Sequence, residues 1–155
     1  MAKKYKSQKS RTLDRLKDHL TDHVRKHHFY EADNYDFIHQ RVDEAYSVFE
    51  KERRDGTPVL FAESIAYNTL LAGLEVSFYD VVLEIMENEF PDVIPTDEKD
   101  LTDLIIEDMA LYLEPIFPKE SANLTYEWLE SEDGYAFKSE LTGRIFLYFE
   151  DRDLQ

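Results

Sequence analysis

Apolar residues recur three or four positions apart along almost the whole chain, and only four glycines and five prolines in 155 residues interrupt them. That spacing repeats once per helical turn. It lines one side of an α-helix and would scatter over both faces of a strand. Leu13, Leu16, Leu20 and Val24 form the first stripe, in a helix expected over about 12–28. Phe37, Ile38, Val42, Ala45 and Phe49 form the second. Asp33 or Asn34 is its N-cap, and Gly56 ends it behind the basic turn of Lys51, Arg53 and Arg54, which suits the negative end of the helix dipole. In a third helix Thr57 is expected as N-cap and Pro58 at the first helical position, with Phe61, Ile65 and Leu70 or Leu71 facing inward and Gly73 at the end. Ser77, with Asp80 three residues on, is close to a capping box for a fourth helix carrying Phe78, Val81, Val82 and Ile85 and bounded by Pro91. Thr96 is expected to open a fifth, with Asp97 and Glu98 in its first turn and Leu101, Leu104, Ile105 and Tyr112 on its face. Pro115 and Pro118 end it.

The last third is less strongly patterned. A short helix is expected around 124–129. Residues 135–150 read two ways: Phe137, Leu141, Ile145 and Tyr148 stack on one side of a helix, while Thr142-Gly143 could turn a hairpin of two aromatic strands. The fold expected is all-α, a single-domain bundle of about six helices with short loops over 12–155, preceded by a basic, disordered arm at 1–11.

Composition narrows the function classes. There is no cysteine, which excludes disulfide frameworks, thiol catalysis and cysteine-held zinc or iron–sulfur clusters. The charged start MAKKYKSQKSR has no apolar stretch behind it, and no run approaches the length of a membrane span, so a cytoplasmic location is expected. The net charge is −16 and unevenly placed. Residues 1–54 hold 13 Lys or Arg against 10 Asp or Glu, whereas residues 55–155 hold 5 against 24. An acidic body repels DNA backbone and anionic lipid and attracts basic partners.

Three segments, NYDFIHQRVDEAYSVFEKERRDG, ESIAYNTLLAGLEVSFYDVVLEIMENEFPDVIP and ELTGRIFLYFE, carry a resemblance over about residues 12–150. Its anchors are the turn at Leu70–Leu74, Asn88–Phe90 and Glu140–Gly143. Together they resemble a family of small all-helical bacterial proteins of unknown function, found mainly in anaerobic gut and oral bacteria and often encoded near conjugative elements. The resemblance implies that 135–150 is a helix. It implies no activity and no catalytic residue. The basic arm and the histidines of the first helix depart from the family pattern.

Several constellations could carry chemistry. His19, His23 and His27 are spaced four apart, a ladder on one side of a helix that could chelate a divalent metal, with Asp18, Asp22 or His39 nearby in sequence. On an ordinary helix such histidines lie on the flank of a core stripe. Asp80, Glu84, Glu87, Asp97, Glu98, Asp100, Asp103, Glu107 and Asp108 form an acidic interaction face; the bland reading is a solvated surface. The basic arm, Lys3, Lys4, Lys6, Lys9 and Arg11, could hold phosphates, but the acidic body opposes it, so nucleic acid is disfavoured as a partner. No G-x-S-x-G, P-loop, G-x-G-x-x-G or H-E-x-x-H occurs. The expected function is therefore a non-enzymatic protein–protein interaction module with no cofactor, accessory to a mobile element or imitating DNA. Divalent-metal binding through the histidines and weak nucleic-acid binding through the arm are the alternatives. The expected partner is a basic protein, with a homodimer left open and no membrane. Tyr67, Tyr79, Tyr112, Tyr126 and Trp128 are candidate anchors.

Overall fold

The computed structural model describes residues 7–119 and 124–152, and most of them are helical. The fold is all-α. Two compact units can be described, Met1–Lys26 with Tyr30–Ala72, and His27–Phe29 with Gly73–Gln155.

In the first unit, α1 (Gln8–Lys26) buries Thr12, Leu16, Leu20 and Val24. It starts four residues before the expected Thr12, so Lys9 and Arg11 belong to a helix and not to an arm. Leu13 is only half-buried; Thr12 takes its place and donates its hydroxyl to the Gln8 carbonyl at 3.0 Å. A 3₁₀ turn (Tyr30–Asp33) precedes α2 (Tyr35–Arg54), whose N-cap is Asn34: its side chain accepts from the Phe37 N–H at 3.0 Å. Ile38, Val42 and Ala45 are buried, while Phe37 and Phe49 are half-buried. Gly56, at φ +89°, supplies the left-handed residue that ends the helix.

α3 (Val59–Leu70) begins one residue later than the Thr57–Pro58 pattern indicates, with Pro58 at the N-cap position. The Thr57 hydroxyl instead donates to Glu52 at 2.8 Å. Arg41 caps the far end, donating to the carbonyls of Leu70 (3.1 Å) and Ala72 (2.7 Å). The expected inward face is corrected. Ala62, Ala66 and Leu70 are buried, and Phe61 and Ile65 point outward. The helix is apolar on nearly every side, so periodicity does not choose between stripes one residue apart. The small alanines let the neighbouring helices approach closely.

In the second unit, α4 (Phe78–Glu89) opens with the anticipated capping box: the Ser77 hydroxyl accepts from the Asp80 N–H at 3.0 Å and the Asp80 carboxylate from the Ser77 N–H at 3.3 Å. It buries Phe78, Tyr79, Val81, Val82, Ile85 and Met86. α5 (Glu98–Asp103) is capped by Asp97 and not by Thr96. It runs through a π-helical turn (Leu104–Met109) into α6 (Ala110–Leu113). The wider turn shifts the helix phase by about one residue, which is why Leu113 is buried where Tyr112 was expected. α7 (Tyr126–Leu129) is the short helix anticipated near 124–129.

α8 (Glu132–Asp151) settles the ambiguous segment as a helix and removes the hairpin alternative. Leu141, Ile145, Tyr148 and Phe149 are buried at helical spacing. They pack with Val82, Met86, Ile105, Met109 and Leu113 into one core, with Phe78 against Phe117 at 4.8 Å. No helix among the described residues is long and apolar enough to cross a membrane.

Candidate functional site

Charge concentrates in the second unit. Residues 73–155 carry 22 Asp or Glu against 5 Lys or Arg, a net of −17, and residues 1–72 carry 12 against 13. α4 places three of the sequence-identified carboxylates along one helix. Asp80 is held in the capping box and also meets His27 Nδ1 at 3.0 Å. Glu84 and Glu87 are exposed. From α5, Glu98 joins this group near the Tyr79 phenol. Burial raises the Tyr79 pKa above its ordinary 10.0, a hydrogen bond with Thr102 opposes the shift, and the charges of Glu98, Asp80 and Glu87 add to it.

The other acidic residues do different work. Asp97 accepts from the Asp100 N–H at 3.0 Å, and Asp103 pairs with Lys99 at 3.1 Å. Glu107 and Asp108 lie on the π turn. The Tyr148 phenol is raised by burial; Arg152 opposes this and the charge of Asp108 reinforces it. The Arg152 guanidinium stacks 3.7 Å above that ring.

A cleft of about 460 Å³ opens between α4, α7 and α8. Its apolar floor is Val81, Ile85 and Leu129. Its rim is Glu84, Asn88 and Glu89 from α4, Tyr126 and Glu130 beside α7, and Tyr135, Lys138, Ser139 and Thr142 from α8. Two anchors of the family resemblance, Asn88-Glu89 and Thr142, therefore meet at one concave surface. Lys138 sits 4.6 Å over the Tyr135 ring. The Thr142 hydroxyl is already donated to the Lys138 carbonyl at 2.7 Å. The Tyr126 phenol is raised by burial first and then by the charges of Asp80, Glu84 and Glu75. An apolar floor, two phenols and three carboxylates suit an apolar side chain that carries a cation.

α1 holds two rungs of the histidine ladder, His19 and His23, and the third is not on it. α1 ends at Lys26, so His27 lies beyond the helix and its ring faces Asp80. His28 follows at φ +54°, a left-handed closing residue, stacked 4.2 Å from Tyr79. His19 stacks on Tyr67 at 4.6 Å, and His23 is half-buried. Among the described residues no three His, Asp or Glu converge to hold a metal ion. Of the basic arm, Lys3, Lys4 and Lys6 lie outside the described residues. Lys9 lies over the Tyr46 ring at 5.2 Å, and Arg11 donates to Gln8 at 3.0 Å.

Of the candidate anchors, Tyr79 is buried and Tyr67 and Tyr112 half-buried, while Tyr126 and Trp128 are exposed. Sequence reasoning missed Leu111, Tyr135, Phe146 and Leu147, all exposed in the second unit. A signal existed for two of them. The run Ile145–Phe149 is apolar at five successive positions, and a helix with one buried face must expose part of it.

Fold and surface together define an all-α protein with a strongly acidic, aromatic-studded unit and a cleft of matching character. The chain belongs to the family described as a domain of unknown function (DUF1896), whose profile matches residues 8–154. Its fold is similar to the crystal structure of protein PG0816 from Porphyromonas gingivalis, with a TM-score of 0.79 and 26% sequence identity, covering 97% of this chain and 99% of that one. No curated protein matches the chain.

Proposed function

We propose that this protein is a non-enzymatic interaction module that docks a basic protein partner on its second unit, in the cytoplasm. One observation carries the reading: exposed Leu111, Tyr126, Trp128, Tyr135, Phe146 and Leu147 share a unit with 22 carboxylates and only five lysines and arginines. Charge of one sign speeds encounter with a basic surface, and aromatic side chains supply the area that holds it. The cleft between α4, α7 and α8 is the natural seat for a lysine or arginine stem of that partner.

The finer version makes the acidic surface an imitation of DNA phosphates that occupies a DNA-binding protein, as an accessory to a mobile element. Bacterial origin and the association with conjugative elements enter this version only through the resemblance. The test is affinity capture from the native host at low and high salt, with nuclease treatment in parallel. The expected result is a basic protein that is lost at high salt, survives nuclease, and is recovered less by Glu84→Gln/Glu89→Gln/Glu130→Gln. Competition of the captured partner by duplex DNA supports the mimic; a partner indifferent to DNA removes it. Recovery unchanged by salt and by the triple variant overturns the docking reading.

A further inference from the structure

We propose that the cleft between α4, α7 and α8 binds a free aliphatic diamine, a short methylene chain with an ammonium at each end. It is the cleft that the docking reading uses, so this inference rests on that part of it, yet filling the cleft needs no protein partner. The cleft holds about 460 Å³, within the roughly 300–1,000 Å³ of small-molecule sites. A partner's lysine brings one ammonium on a four-carbon stem and fills only part of that space. Glu84, Glu89 and Glu130 line the cleft against one cation, Lys138, a net of −2. Among the described residues none of these four forms an ion pair. One lysine or arginine of a partner neutralises half of that charge; a diamine neutralises all of it.

The lining suits such a chain. Glu84 and Glu89 are five residues apart on α4, an axial rise of about 7.5 Å, with Ile85 between them. Ile85 and Leu129 form the apolar floor, so a methylene chain crossing it covers apolar surface while its ends stay among carboxylates. Glu130 enters from the end of α7. Burial first, and then the charges of Asp80, Glu84 and Glu75, raise the Tyr126 phenol, so the wall beside α4 carries a negative field. The opposite wall shows the chemistry with a group of the protein's own: the Lys138 ammonium, on its aliphatic stem, lies 4.6 Å over the Tyr135 ring. An inorganic cation gains nothing from the floor or the rings, and an anion meets three carboxylates.

Calorimetric titration of the purified full chain with putrescine tests this, with butylamine and Mg²⁺ titrated in parallel. The expected result is one-to-one binding of putrescine at least about tenfold tighter than that of either control. Glu84→Gln/Glu89→Gln should weaken it at least about tenfold. Glu107→Gln/Glu114→Gln removes the same charge from the π turn and the end of α6 and should leave it unchanged. No binding of putrescine overturns the inference. Equal affinity for butylamine also overturns it and leaves the cleft a seat for one stem. Equal affinity for Mg²⁺, or equal weakening in the two double variants, overturns it in favour of unspecific attraction to the acidic unit. Putrescine binding with no basic protein captured from the host removes the docking reading and keeps this one. A captured partner that the triple glutamine variant loses, without putrescine binding, does the reverse.

Discussion

In the first unit helices meet over alanines and aliphatic side chains; in the second, rings join the aliphatic side chains in the core. Among the described residues no aromatic is buried in the first unit, while Phe29, Phe78, Tyr79, Phe117, Tyr148 and Phe149 are buried in the second. The charges differ in the same direction. Arg15 pairs with Glu63 at 3.0 Å and Arg54 with Glu50 at 3.6 Å in the first unit, whereas carboxylates in the second far outnumber their cations. The difference teaches that hydrophobicity alone does not decide which residues go inside. Where alanines set the helix spacing, a phenylalanine one position away has no room and faces out; where rings help set it, they fill part of the core.

The sharpest way to break this comparison is to make one substitution in both places. Phe78→Ala empties a core site and should cost about 3–5 kcal/mol. Phe61→Ala removes an exposed ring and should stay within about 0.5 kcal/mol of the parent. Urea denaturation followed by circular dichroism measures both. Trp128, the only tryptophan, reports the second unit by fluorescence. Equal losses would mean that α3 turns Phe61 inward after all.

Overpacking gives a smaller effect with opposite geometry. Ala66→Leu forces bulk into the close approach of α3 and should cost about 1–3 kcal/mol. A β-carbon at Gly134 meets the backbone carbonyl oxygens of Trp128 and Leu129. Gly134→Ala should therefore lose stability on a similar scale, seen as a lower urea midpoint. A neutral result at either site would mean that the backbone there yields more readily than close packing implies.

Alkaline pH separates the units by charge. Burial raises the phenols of Tyr79, Tyr126 and Tyr148, all in the second unit, and neighbouring carboxylates add to it. A phenol with a folded pKa above its unfolded value of 10.0 holds its proton longer in the native state. Its contribution is complete below pH 10.0 and is lost as pH rises through the folded value. Stability should thus fall on the alkaline side, and Tyr148→Phe should flatten that fall. Tyrosinate absorbance during titration and urea midpoints at several alkaline pH values check it. A slope unchanged by Tyr148→Phe would remove this phenol from the account.

What could be read from the sequence was local. The caps at Asn34 and Ser77, the capping box through Asp80 and the glycine stops at Gly56 and Gly73 depend on a few neighbouring residues, and each forms as its residue types dictate. Features that depend on distant packing were not legible. α3 is apolar nearly all round, so its inward face waits on α1 and α2. The π turn at Leu104–Met109 adds a residue to a helix without leaving a compositional mark. The histidine spacing is regular, yet α1 stops at Lys26 before the third rung. The acidic residues were visible in sequence, but the cleft joins Glu84 and Asn88 to Lys138 and Thr142 across a long stretch of chain, and nothing local announces it.

Gly143 carries a small expected effect and tests the one element that sequence left open. It made a hairpin turn credible, yet it lies inside α8 with nothing within 4 Å of where a β-carbon would stand. Glycine in a helix interior costs about 1 kcal/mol relative to alanine, through backbone entropy in the unfolded chain. Gly143→Ala should therefore stabilise the protein by up to that amount, raising the urea midpoint without changing the slope of the transition. The same substitution in a Thr142-Gly143 hairpin turn would be destabilising, because such turns favour glycine for its left-handed freedom. The sign of the shift thus separates a helix from a turn at this residue. Set beside the loss expected for Gly134→Ala in the same helix, it also shows that what the β-carbon meets decides the outcome of replacing a glycine.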